Sequence, residues 1–310
     1  MARSFFMSVL LAVAALLGSS QATVDVIGYY GNSGNAVASI PLISEINENY
    51  NVIIITFASL DNMGTVTLDI QGPYEDDLDG LATDLAKWKE GTDLYGRGRL
   101  AMVSVGGQNG LWPSDLSSAD CLTGLLDFME TMNLDGLDID LEGSAVASAA
   151  SLSSVITSLI SDHGKVVTAA PEAAQGPLDN YASILPLLSW VHPQYYNNGP
   201  NAVTTPYVPS ADLWPTPWTV TDWQDEVNGG YAFWAGVLDA ISDADGLSSE
   251  QKGMLIPCSI SAASSYNNYD IAKLAQEVAF ANVTHVGTWA IAYDNEQDWT
   301  FAETLGALNI

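Results

Sequence analysis

The chain has 310 residues, of which 37 are Asp or Glu and only 8 are Lys or Arg, for a formal net charge of −29 at pH 7. Such a balance repels polyanions, which argues against nucleic acid and anionic membrane surfaces as partners. It places no restriction on a neutral polymer.

In chain order, residues 1–22 read as a secretory signal. Arg3 supplies the positive start, residues 5–17 form an apolar run too short to span a bilayer, and Ser20-Gln21-Ala22 is a small-x-small cleavage site. The expectation is a secreted, extracellular chain of residues 23–310, with no later run long and apolar enough for a membrane span. Losing the segment removes one arginine and no acid, so the remainder is one unit more negative. About 290 residues are left, the size of one barrel domain.

Apolar, β-branched runs then alternate with helical patterns, which predicts βαβ units around a parallel sheet. Strands are expected at 24–30, 52–57, 100–105, within 134–143, and at 166–170, 190–196, 254–260 and 285–292. Helices are expected at 78–90, 122–132, 152–163, 231–241 and 271–280. Eight strands alternating with helices match a (β/α)8 TIM barrel. No repeat and no Pro/Ser/Gly linker divides the chain, so a single domain is expected. Loops at 61–77 and 197–222 are long, and the second carries Tyr207, Trp214 and Trp218. Long βα loops build the clefts of barrels, and clustered aromatics there suit the apolar faces of sugar rings. Cys121 and Cys258 fall in separate barrel sectors. A disulfide needs Cα atoms within ~7 Å, so two free buried thiols are expected. Asn282-Val283-Thr284 is a glycosylation sequon.

The fourth strand carries the chemistry. In Leu134-Asp135-Gly136-Leu137-Asp138-Ile139-Asp140-Leu141-Glu142-Gly143 three acids recur at alternate positions. A strand puts Asp138, Asp140 and Glu142 on one face with neighbouring Cα atoms ~7 Å apart, and Leu137, Ile139 and Leu141 on the other. Three ionised carboxylates on a buried face are disfavoured by desolvation and repulsion, so a shared proton and coupled titration are expected. A carboxyl with a raised pKa suits general acid catalysis near neutral pH. Asp135 is out of phase and reads as structural. A calcium loop counted from Asp138 would need Glu at position 12, where Ala149 stands, and apolar spacers suit a strand better. A solvated strand face conflicts with the Leu and Ile density, and a site that had lost its chemistry would usually lack an acid.

Together with its neighbours, this stretch resembles the D-x-x-D-x-D-x-E signature of glycoside hydrolase family 18, the chitinases and their relatives, with wording nearest the hevamine-like branch. Other segments are similar to the family's motifs: Gly28-Tyr29-Tyr30 on strand one, Ser104-Val105-Gly106-Gly107 on strand three, Gln194-Tyr195-Tyr196-Asn197 on strand six, and Trp289 at the end of strand eight. Ala290 and His285 depart from the pattern there, where Ser and Gly are frequent. The resemblance implies a barrel with Glu142 at the carboxyl end of strand four, where barrel active sites lie.

It further implies an endo-acting, retaining chitinase with substrate assistance, the exception among glycosidases. Glu142 would be the general acid. Asp140 would orient the substrate's acetamide, Asp138 would support Asp140 through a shared proton, and Tyr196 would hold the acetamido carbonyl. Tyr29, Ser104, Gly106, Gly107, Gln194, Asn197 and Trp289 would line the substrate site, with Ser104 a partner for the buried acids. The expected partner is chitin or another N-acetylglucosamine-containing glycan, acted on by a monomer without metal or other cofactor. An endo-β-N-acetylglucosaminidase of N-glycan cores, or a non-catalytic chitin-binding lectin, would share the fold. The lectin reading sits poorly with Glu142.

Overall fold

The computed structural model describes residues 23–32, 39–108, 110, 112–113, 116–172, 175–194, 196, 247–259, 261–262, 278 and 283–309, and in it the alternating apolar runs become the staves of a barrel. The expected signal segment, Asn197, the aromatic loop at 197–222, the helix at 231–241 and Asn282 of the sequon lie outside the described residues. Of the helix expected at 271–280 only Val278 is described, and it is helical.

Strand β1 (Asp25–Tyr30) pairs in parallel with β2 (Val52–Leu60) on one side and with the last strand, β9 (His285–Trp289), on the other. From β2 the ring continues through β4 (Leu100–Gly107), β5 (Gly136–Leu141), β6 (Val166–Ala169) and β7 (Trp190–Val191). On the far side β8 (Gly253–Pro257) pairs with β9. Bridges Val191–Lys252 and Gln194–Leu255 join β7 to β8, so eight parallel strands form a nearly closed barrel. Val52 to Ile55 are buried on both faces of β2, and each such side chain contributes about 1.5–3 kcal/mol relative to exposure.

Helix α1 (Leu78–Lys89) starts where the Asp77 side chain accepts the Gly80 N–H at 2.9 Å, and it buries Leu81, Leu85 and Trp88 along one stripe. Helix α2 (Ser118–Thr131) is capped by Ser117 through the Asp120 N–H and buries Cys121, Leu125 and Met129. It begins four residues before the start expected from its apolar run, because the capping serine sets the start. Helix α3 (Ser153–Ser161) buries Val155, Ile156 and Leu159, and α4 (Gln175–Tyr181) follows β6.

Three expectations need correction. Residues 61–77 are not an irregular loop throughout: β3 (Val66–Leu68) folds back on the end of β2 as an antiparallel hairpin. Strand six is short; β7 ends at Val191, and beyond it, among the described residues, only Gln194 bridges to its neighbours, since Pro193 offers no N–H. Strand eight ends at Trp289, and α5 (Ile291–Glu296) follows. Asp294, within α5, accepts the N–H groups of Phe301 and Ala302 at the start of α6 (Thr300–Gly306) and the Tyr50 hydroxyl. Burial outweighs those bonds and lifts its pKa to about 6. Cys121 and Cys258 are both free and buried, and burial pushes the Cys121 thiol up to about 12.

At the amino end of the barrel, Asp25 lies 3.0 Å from His285 Nδ1 and 3.2 Å from Arg97 Nη1, and Asn51 donates to it. Burial would raise the Asp25 pKa, but the His285 bond and charge, Asn51 and Arg97 together hold it below the ordinary carboxylate range. The depressed pKa stabilises the fold above the unfolded value, and that contribution is lost as pH falls through the folded one. Asp25→Asn is expected to lower stability at pH 7 by about 1–3 kcal/mol and to make acid unfolding less steep. Urea melts at pH 7 and pH 3 measure this; an equal loss at both pH values would refute it.

Candidate active site

Parallel register fixes the centre of the site. Ser104 on β4, Asp138 on β5 and Thr168 on β6 are register partners, so their side chains share the barrel-interior face. The Ser104 hydroxyl donates to Asp138 Oδ2 at 2.7 Å, and the Thr168 hydroxyl donates to Oδ1 at 2.6 Å. From β1 the Tyr29 hydroxyl donates to Oδ2 at 2.8 Å. His192, just past β7, places Nε2 at 3.3 Å from Asp138 Oδ1 and 2.8 Å from the Tyr29 oxygen. Its Nδ1 accepts the Trp190 indole N–H at 3.0 Å. Asp138 is fully buried. Burial would raise its pKa, but His192, Thr168 and Ser104 outweigh it and hold the carboxyl below its ordinary value. Asp138 is therefore the ionised member of the acid run.

One step nearer the carboxyl end of the strands the balance reverses. Burial first, then the charges of Glu142 and Asp138, raise Asp140 well above the usual range, against the opposing Gln194 hydrogen bond. Glu142, just beyond β5 and half-buried, is also raised, by burial and by Glu172, while Gln194 and a hydrogen bond with Asp140 oppose the rise. Gln194 Nε2 ties the pair together, 2.7 Å from Asp140 Oδ1, 3.1 Å from Glu142 Oε1 and 3.0 Å from the Ala170 carbonyl. The shared proton expected between Asp138 and Asp140 therefore belongs to Asp140 and Glu142. Both oxygens of Asp138 are already occupied by hydroxyl donors.

Gly106 pairs with Asp140 in register at φ +119°, and a Cβ there would meet the Asp140 carbonyl oxygen at 2.1 Å. Gly107, at φ +81°, faces the Phe57 ring. The two glycines thus set the approach of β4 to β5 and to the Phe57 ring. At the rim, Trp289 is partly exposed and stacks on Phe57, centroids 5.6 Å apart and planes at 18°. Its ring lies 5.9 Å from that of Tyr29. Tyr196 is buried, with its hydroxyl pKa raised by burial and by the Asp140 and Glu142 carboxyls.

Some residues expected to line the substrate site lie beneath it, and Ser104 is, as the resemblance implies, a partner of the buried acids. Tyr29 and Ser104 are fully buried, and their hydroxyls are turned to Asp138. Gln194 is also buried, beneath Asp140 and Glu142. Of the two tyrosines in Gly28-Tyr29-Tyr30, Tyr29 points inward, whereas Tyr30 donates to the Pro41 carbonyl. Asp135 is structural: it pairs with Lys89 at 2.8 Å and accepts the Ala101 N–H.

The structure adds Thr168, His192, Trp190, Tyr181 and Glu172, which motif reading missed. Alternation carried a signal for several of them. Thr168 is the polar residue in an apolar strand, and Trp190 and His192 share a face with Gln194. Tyr181 accepts the Leu141 N–H at 2.8 Å from outside the strand, a contact no local pattern encodes.

No protein-family model matches the chain. It is 30% identical over 205 residues to "Chitinase D" of Niallia circulans, covering 56% of this chain and 38% of that one. It is 29% identical over 190 residues to a "Chitinase" of Enterococcus faecalis, covering 57% of this chain and 52% of that one. The alignments thus span about half or less of these curated relatives. Among solved structures, a family 18 chitinase from Chromobacterium violaceum superposes with a TM-score of 0.68 at 21% identity, over 94% of this chain and 86% of its own.

Proposed function

We propose that the chain is a member of glycoside hydrolase family 18 and an exported, endo-acting chitinase that cleaves β-1,4-linked N-acetylglucosamine polymers with retention, using the substrate's own acetamido group as nucleophile. One observation carries the reading. Asp138, Asp140 and Glu142 stand in file toward the carboxyl end of a barrel strand, and their environments separate them into one ionised carboxyl and one proton-sharing pair. A lone acid at the mouth, with no second carboxylate placed as its own nucleophile among the described residues, suits substrate assistance.

In this mechanism Glu142, whose burial keeps it protonated above the ordinary range, protonates the leaving glycosidic oxygen. The acetamido oxygen attacks C1 as the glycosidic bond breaks, giving an oxazolinium ion. Asp140 orients the acetamide and takes up the positive charge developing on its nitrogen. Tyr196 holds the acetamido carbonyl, and Trp289 supplies an apolar floor for the sugar ring. Water then opens the oxazolinium ion, with Glu142 now the base, so the configuration at C1 is retained. Export rests on the amino-terminal pattern around Arg3 and Ser20-Gln21-Ala22, and predicts a mature amino terminus at Thr23.

The test is hydrolysis of matched chitin oligosaccharides with and without the acetyl group at the cleaved residue. Cleavage of the acetylated substrate alone is expected. Equal rates, or a glycosyl ester trapped on Asp140 or Glu142, would rule out the mechanism. Release of glycan from a high-mannose glycopeptide with chitin untouched would replace the substrate.

A pH prediction follows from Glu172. Its charge raises both Asp140 and Glu142, so Glu172→Gln lets the pair lose its proton at lower pH. The alkaline limb of kcat/KM should move to lower pH, and a limb that stays or rises contradicts the assignment.

A further inference from the structure

The inward side chains of the β7 segment form a ladder that runs beneath the proposed chemistry. Trp190, His192 and Gln194 alternate along it, all buried. Trp190 stacks on His285, centroids 4.4 Å apart and planes at 11°, and His285 pairs with Asp25 at the amino end of the barrel. The next rung is His192, which touches Trp190, Tyr29 and Asp138.

The tautomer of His192 decides where the Tyr29 proton goes. An indole N–H only donates, so the 3.0 Å contact from Trp190 makes His192 Nδ1 the acceptor. The ring proton then sits on Nε2, which faces the Tyr29 oxygen at 2.8 Å and Asp138 Oδ1 at 3.3 Å. With Nε2–H donating to Tyr29, the tyrosine's single proton is free to point at Asp138 Oδ2, 2.8 Å away. The opposite tautomer would set two donors against each other at Trp190. It would also leave a bare Nε2 competing with Asp138 for the tyrosine proton and repelling Oδ1.

We infer that Trp190 and His192 are positioning residues for the reaction: Trp190 fixes His192 as the Nε2–H tautomer, and that tautomer directs the donors that keep Asp138 ionised. The mobile proton of the acid run is thereby confined to Asp140 and Glu142. This rests on the reading that the acid run carries catalysis. Among the described residues, the polar groups facing Asp138 are Tyr29 from β1, Ser104 from β4, Thr168 from β6 and His192 after β7, with Asp140 on its own strand, and each takes part in the balance. Tyr181 and Tyr196 stand near the run as neutral phenols. Gln194 and Glu172 act on the Asp140–Glu142 pair.

The experiment has two arms on the full chain. The first is long-range proton–nitrogen NMR of protein labelled with ¹⁵N-histidine, which reads the His192 tautomer with no assay of activity. A neutral ring protonated on Nε2 is expected in the wild type, and a mixture in Trp190→Phe. A wild-type ring protonated on Nδ1, or on both nitrogens near neutral pH, overturns the proposal. The second arm is the pH dependence of kcat/KM. Trp190→Phe and His192→Leu should move the acidic limb up by about one pH unit, the loss expected for one hydrogen bond to a charged group, and leave the alkaline limb in place. His192→Gln, whose amide can still donate toward Tyr29 and Asp138, should keep the acidic limb near its wild-type position. A uniform fall in rate with both limbs unmoved would mean a merely structural role and sinks the proposal. If the wild-type protein cuts no chitin, the functional reading fails by itself, and the NMR arm still decides the tautomer.

Discussion

Glu142→Gln should lower chitin oligosaccharide turnover by a factor of at least ~10² while leaving the fold and sugar binding intact. Glutamine keeps the shape and still offers an oxygen to Gln194 Nε2, which lies 3.1 Å from Glu142 Oε1. What it removes is the proton. Because the folded state raises the Glu142 pKa, the ionised carboxylate is penalised on folding. The sign is therefore opposite to that of Asp25. The penalty is present above the folded pKa and disappears as pH falls below the unfolded one. The variant should accordingly be as stable as the wild type at pH 4 and at least as stable at pH 8, while its activity is lost at both. Calorimetry and product assays on the same preparation measure this. Near-normal hydrolysis would falsify the role of Glu142, and a large stability loss at pH 8 would refute the account of its environment.

The barrel was legible because β2, β4 and β5 are continuous apolar or alternating runs whose period is unambiguous. The acid run was legible for the same reason: Leu137, Ile139 and Leu141 leave Asp138, Asp140 and Glu142 no other common face. The β7 segment was overextended because Pro193 breaks the ladder after Val191, and the later contacts of Gln194 come from isolated bridges. The proton partner is not legible from spacing for a physical reason. Spacing along one strand makes Asp138 and Asp140 equivalent, and only the neighbouring strands distinguish them. Among the described residues, Ser104, Thr168, Tyr29 and His192 surround the first with donors, whereas the second meets one amide and another carboxyl. That asymmetry depends on the register of four strands, which no single segment records. Tyr29 lies deeper than the substrate wall on similar grounds, since a motif gives the face of a strand and not the depth along the barrel, whereas Ser104 meets the buried acids as the resemblance implies.

Depth and backbone approach meet at Gly106, and the second large effect is expected there. Gly106→Ala should destabilise the protein by about 3 kcal/mol or more and remove most activity in what still folds. Two causes add. The residue has φ +119°, which L side chains avoid, and the new Cβ would lie 2.1 Å from the Asp140 carbonyl oxygen and 2.6 Å from its carbon. These are backbone atoms of the adjoining strand, so no side-chain rotation relieves the contact, and β5 must move away at the residue that shares its proton with Glu142. Gly143 is the control. It also has positive φ, +54°, and follows Glu142, but a Cβ there meets nothing within 4 Å. Gly143→Ala should therefore cost only about 1–2 kcal/mol, the left-handed penalty alone. Urea denaturation of the two variants separates conformational strain from strand displacement. Similar losses for both would show that β4 is free to yield at Gly106, and the close approach of β4 to β5 would then not be what positions Asp140.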